Sequence, residues 1–184
     1  MFAFFAPKMY RDYATKLDRL FTHYPELDYN WNNSVFPCAS FNFGPDVMSF
    51  EHNDHGNRAA GWCSIYCDGT FDPTRGGHLF LRQLGIVIEF PPGSTVLIPS
   101  ACITHGNTPI GKDETRWSFT QYASGGLFRF MDYGFRGWKA MYTEDRDRAD
   151  EFLEQRATRW ADELEFLSYV DGLAGDREAA ELLA

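Results

Sequence analysis

Between Val35 and Tyr122 the sequence is cut into short β-prone runs by turn chemistry, and this alternation constrains the fold more than any other feature. The runs are Val35–Phe43, Val47–Asp54, Gly61–Cys67, His78–Leu84, Ile86–Phe90, Thr95–Pro99, Cys102–His105 and Thr115–Tyr122. The breaks include GPD, DGTFDPTRGG, PPGS and GKDE, where Gly, Pro and Asp favour the backbone angles of turns. Eight such strands in so short a stretch predict a sandwich or barrel. An aromatic share of 17%, with 17 Phe, suits a β-rich core.

Helical text brackets the strands. Residues 7–23 place Met9, Tyr10, Tyr13, Leu17, Leu20 and Phe21 at helical spacing. After Gly125-Gly126 the chain reads helical again. A charged stretch over 144–168 carries Phe152, Leu153, Trp160, Leu164 and Leu167 as its apolar stripe. Residues 172–184 read as a short helix or a frayed end. The expected fold class is therefore mainly β with flanking helices: one N-terminal helix, a strand-rich core and C-terminal helices. The expected organisation is a body over 1–143 with an acidic helical extension over 144–184 packed on it.

Charge and cysteine usage narrow the function classes. The net charge of −9 belongs almost wholly to the end of the chain. Residues 1–143 hold 12 Lys/Arg against 13 Asp/Glu, whereas 144–184 hold 5 against 13. Neither part has the basic stripe that strong duplex binding usually needs. No apolar run reaches the length of a membrane helix, and MFAFFAP lacks the positive start of a signal peptide. Cys38, Cys63, Cys67 and Cys102 show no zinc-site spacing, so free thiols in a reducing, intracellular compartment are expected.

Two spacings carry chemistry. His52-Asn53-Asp54 on a strand would point one imidazole and one carboxylate to the same face. His105, on a later strand, offers the third ligand of a two-His, one-carboxylate set. Such a set leaves positions open for a bidentate 2-oxo acid and dioxygen on Fe(II). An HxD alone is unspecific, and its weight comes from the second spacing. Eleven residues after His105, Arg116 and Ser118 share a strand face, a fork of donors plus a hydroxyl suited to a carboxylate. Among the other histidines, His55 would face away, His23 ends a helix in solvent, and His78 reads as a core or site-lining residue outside the metal set.

The ordered set HNDHGN, GGHL, EFPPGS, His105 and TRWSFTQY resembles the double-stranded β-helix (jelly-roll, cupin-like) Fe(II)/2-oxoglutarate-dependent dioxygenases. More narrowly it is similar to the compact, fungal, transposon-associated TET/JBP-like group, over roughly Phe5 to Phe135. That resemblance implies catalysis at His52, Asp54 and His105, with Fe(II), 2-oxoglutarate and O2 as cofactors and Arg116 with Ser118 on 2-oxoglutarate. It also implies a 5-methylcytosine DNA substrate, oxidised to 5-hydroxymethylcytosine and beyond, and for such a substrate a nuclear location. HNDHGN matches an HxDxxN pattern in which the Asn, here Asn57, contacts the base. Tyr122, six residues after Arg116, matches a base-stacking Tyr. Asn53 stands where many relatives carry a basic residue, and the cysteine-rich zinc region of animal TET enzymes is missing. Two alternatives stay open: a related hydroxylase of prolyl, protein or small-molecule substrates, and a non-catalytic β-barrel remnant.

Overall fold

The computed structural model describes residues 1–181. The final residues of the predicted C-terminal helix, 182–184, lie outside the described residues. The chain forms two compact units. One is helical and combines Met1–Pro37 with the chain from Ser124 onward; the other is the strand-bearing segment Cys38–Ala123.

In the helical unit, α1 (Phe2–Phe5) leads into α2 (Pro7–His23), with Pro7 at the first turn, where its missing N–H costs nothing. Met9, Tyr13, Leu17 and Leu20 recur on one face of α2, and all four are buried. Phe36 stacks on Phe2 with ring centroids 5.1 Å apart, and Tyr13 packs on Phe128. Phe128 lies on α3 (Gly125–Asp132), whose first turn is capped by the Ser124 hydroxyl accepting from the Gly126 N–H at 3.2 Å. Lys16 ties α2 to α3 through Asp132 at 2.7 Å. The helices α4 (Trp138–Glu144), α5 (Arg146–Glu154), α6 (Arg159–Leu164) and α7 (Leu173–Glu181) follow. The charged stretch is thus broken between α5 and α6, where i→i+3 bonds at Arg156, Ala157 and Thr158 tighten the chain into turns. The break divides its stripe: Phe152 packs edge-on against Tyr133, while Trp160 and Leu164 stay exposed. Among the described residues no helix is long and apolar enough to cross a membrane.

The second unit holds two antiparallel sheets. The strands are β1 (Cys38–Asn42), β2 (Cys63–Thr70), β3 (Leu79–Leu81), β4 (Ile86–Ile88), β5 (Ser94–Ile98), β6 (His105–Asn107) and β7 (Thr115–Tyr122). One sheet runs β1-β7-β2-β5 and the other β4-β3-β6. Cys63, Cys67 and Ile98 of the first meet Leu79 and Leu81 of the second, with Phe71 and Phe90 completing the core. Each fully buried Leu or Phe in such a core contributes about 1.5–3 kcal/mol. All four cysteines are free thiols, and burial pushes Cys63 up to about 11.

Three expected strands differ. The run His78–Leu84 is strand only over β3, and Arg82–Leu84 form a 3-10 turn that Gly85 ends in the left-handed conformation. The run Cys102–His105 is a turn up to Thr104, closed by the N–H groups of Cys102 and Ile103 on the Pro99 carbonyl, so β6 begins at His105. Val47–Asp54 is not a continuous strand. It is a strap that pairs in turn with both sheets: beside Arg116 at Pro45–Val47, beside Asn107 at Ser49, and beside His105 at His52. A segment changing partners this often cannot keep one ladder.

Candidate metal centre

The strap places the first ligand pair. His52 and His105 exchange both backbone hydrogen bonds, each at 3.0 Å, as an antiparallel bridge. Residues directly opposite in such a pair present their side chains to the same face, so both imidazoles project together. Their ring centroids are 4.4 Å apart. Beyond the bridge, the Asp54 N–H donates to the Ser100 carbonyl and the Asp54 carbonyl accepts from the Asn57 N–H, closing a turn. This turn, rather than strand periodicity, brings the Asp54 carboxylate beside the rings.

The hydrogen bonds fix both tautomers. His52 Nδ1 lies 2.7 Å from the Phe50 carbonyl and His105 Nδ1 lies 2.8 Å from the Ile103 carbonyl. A carbonyl can only accept, so each Nδ1 carries the proton and each Nε2 offers a lone pair. Burial holds His105 below its ordinary pKa, with His52 nearby adding to the shift and the Ile103 carbonyl opposing it. His52 Nε2 is 3.5 Å from Asp54 Oδ1, and His105 Nε2 is 4.0 Å from Asp54 Oδ2. One donor atom from each of the three residues lies within 4.8 Å of the others. With both rings neutral, the two imidazoles and the carboxylate converge as three acceptors. A divalent cation satisfies that arrangement, and two imidazoles with one carboxylate suit a borderline metal such as Fe(II).

The second spacing also forms a site. Arg116 and Ser118 are both buried on one face of β7, with Thr115 and Trp117 turned the other way. Arg116 is 3% exposed, and its Nη1 donates to the Val47 carbonyl at 3.1 Å. Its buried Nε has no hydrogen-bond partner. Desolvation lowers its pKa, opposed by the adjoining Cys67 thiol, yet a guanidinium stays charged under any working condition. Among the described residues no carboxylate pairs with it. A buried cation in this state is costly, and an incoming anion would relieve the cost. The Ser118 hydroxyl accepts from Asn42 Nδ2 at 3.0 Å, which leaves its own proton to donate.

The remaining candidates fall in different places. Tyr122 shares the period-two face of Arg116 and Ser118, opposite Cys38, and packs half-buried against the strand core. Asn57 spends its amide nitrogen inside the loop, on Asp54 Oδ2 at 3.3 Å and Ser100 Oγ at 3.1 Å. His78 is held by the Pro73 carbonyl at 2.8 Å, His55 sits exposed in the turn, and His23 stacks flat on Phe135. Sequence reasoning did not reach Asn42 or Ser100. Neither carries a local motif: strand pairing brings Asn42 to Ser118, and the Asp54 N–H bond to its carbonyl brings Ser100, in the turn after β5, to the site.

No protein-family profile matches the sequence, and neither does any curated protein. Solved structures similar to the chain include NgTET1 in complex with 5mC DNA, at 18% identity and a TM-score of 0.46. That match covers 67% of this chain and 52% of the other, so the chain spans about half of that structure's length. Another is the viral collagen prolyl hydroxylase vCPH from Paramecium Bursaria Chlorella virus-1 in its 2OG complex. There the identity is 11% and the TM-score 0.33, over 59% of this chain and 69% of that one. These are partial likenesses of backbone course.

Proposed function

We propose that the chain is an Fe(II)/2-oxoglutarate-dependent dioxygenase built on a double-stranded β-helix. The observation that carries this reading is a pair of side-chain clusters in one strand unit: ligand atoms of His52, Asp54 and His105 within 4.8 Å of one another, and the buried Arg116 guanidinium, whose Nε has no hydrogen-bond partner. His52, Asp54 and His105 would hold the iron. Arg116 and Ser118 would hold the distal carboxylate of 2-oxoglutarate, through the guanidinium fork and the hydroxyl proton that Asn42 leaves free. Iron, 2-oxoglutarate and O2 together supply the oxidising chemistry that breaks a C–H bond and releases succinate and CO2. The protein contributes fixed ligand geometry and a bound co-substrate.

For the substrate we propose the methyl group of 5-methylcytosine in DNA, with 5-hydroxymethylcytosine as the first product. The motif resemblance at Asn57 and Tyr122 supports this reading. A flipped base needs one edge contact and one aromatic face. The Asn57 amide nitrogen is engaged, so its carbonyl oxygen would make the edge contact. The charge distribution favours a second reading, a prolyl, protein or small-molecule substrate, because residues 1–143 are nearly neutral.

Succinate release separates the readings. The protein is incubated with Fe(II) and 2-oxoglutarate plus methylated duplex, proline-containing peptide or nothing, and the oligonucleotide is analysed by mass spectrometry. The first reading requires DNA-stimulated succinate and a gain of oxygen on the methylated strand, both absent in His52→Ala. Stimulation by peptide alone would move the substrate to the second reading.

A further inference from the structure

We infer that Asn57, anchored by Ser100, is a positioning residue that fixes which oxygen of Asp54 faces the metal. The inference rests on reading His52, Asp54 and His105 as a metal site. The Asp54 carboxylate is acceptor-only, so the Asn57 group facing Oδ2 at 3.3 Å must be its amide nitrogen. The same nitrogen donates to Ser100 Oγ at 3.1 Å, and Ser100 is fully buried. Ser100 is itself held on both sides: its carbonyl accepts from the Asp54 N–H, and its own N–H donates to the carbonyl of Ile98, a core residue at the end of β5. The chain Ile98–Ser100–Asn57–Asp54 therefore runs from the packed core of the sheets to one carboxylate oxygen.

This tether has a chemical consequence. Oδ2 accepts from Asn57 at 3.3 Å and lies 4.0 Å from His105 Nε2, while Oδ1 lies 3.5 Å from His52 Nε2. The bond from Asn57 restrains rotation of the carboxylate and so biases binding toward Oδ1. A carboxylate free to rotate could chelate through both oxygens and take one of the positions that a bidentate co-substrate requires. Ligating carboxylates are commonly held by such outer hydrogen bonds, whose removal typically weakens metal affinity by about 10–100-fold. Asn57 then acts on the metal before any substrate arrives.

The test is a titration of the whole metal-free chain with Co(II), without DNA or 2-oxoglutarate, followed by calorimetry and by the visible spectrum of the ion. Thermal unfolding of the same metal-free samples runs alongside. Asn57→Ala is expected to bind Co(II) about 10–100-fold more weakly than wild type, with an altered spectrum and little change in melting temperature. Wild-type affinity and spectrum in a folded Asn57→Ala would overturn the inference, as would a loss of melting temperature with unchanged binding. If Asn57→Ala does not fold, Ser100→Ala, which removes only the anchor, must show weakened binding, and unchanged binding there overturns the inference too. Failure of wild type itself to bind Co(II) would instead remove the metal-site reading on which it rests.

Discussion

At the scale of single residues, Arg116 is the group whose environment makes the sharpest demand. Its guanidinium is buried, touches a backbone carbonyl and a thiol, and leaves Nε unbonded. Stability and binding should therefore pull in opposite directions there. Arg116→Met removes an unpaired buried charge while keeping volume, and should stabilise the ligand-free protein by about 1–4 kcal/mol in thermal or urea unfolding. The same variant should weaken 2-oxoglutarate binding by about 2–5 kcal/mol, with Co(II) affinity unchanged. Destabilisation together with intact 2-oxoglutarate binding would remove Arg116 from the role. Arg116 and Ser118 were legible in the sequence because period two on a strand fixes their shared face. Asn42 and Ser100 were not. Their partners Ser118 and Asn57 lie 76 and 43 residues away, and no local pattern encodes such a pairing.

At the scale of elements, the strap over Pro45–His52 decides whether the metal ligands meet. Its run read as a strand because it is β-prone text following the GPD turn signal. In the structure these residues pair with β7 and then β6 while the chain passes from one sheet to the other. The HxD pair was expected on one continuous strand; His52 and Asp54 do converge, though only His52 is in a β-bridge and a turn follows Asp54. Gly106, between His105 and Asn107, marks where the strap lies closest: a Cβ there would meet the Ser49 carbonyl at 2.7 Å and the Phe80 ring. Gly106→Ala should cost about 1–3 kcal/mol of stability, seen as a lower melting temperature, and should weaken Co(II) binding by lifting the strap from β6. Gly56, in the turn after Asp54, has nothing within 4 Å of the same atom. Gly56→Ala should leave both readouts at wild-type values, and a loss equal to that of Gly106→Ala would contradict the close-approach explanation.

At the scale of the whole molecule, the sequence announced its classes of element more readily than their grouping. Helical periodicity at both ends and strand text between them were visible, and they correspond to the observed units. That α2 and α7 belong to one unit was not visible. It depends on long-range contacts such as Lys8 with Asp176, and Arg177 donating to the Phe4 carbonyl at 2.8 Å while stacking over its ring. Net charge is also a whole-molecule property. With −9 overall and no basic stripe, binding to methylated duplex should be weak and fall only gently with salt, which anisotropy titrations across ionic strength would record. A steep salt slope would mean many phosphate contacts, contrary to this charge distribution. The central claim, that one strand unit holds both a metal and a 2-oxo acid, is tested most directly by anaerobic addition of Fe(II) and then 2-oxoglutarate. A weak visible charge-transfer band should appear only when both are present, and it should be missing in His52→Ala. No band in the wild-type protein under saturating Fe(II) and 2-oxoglutarate would contradict the account.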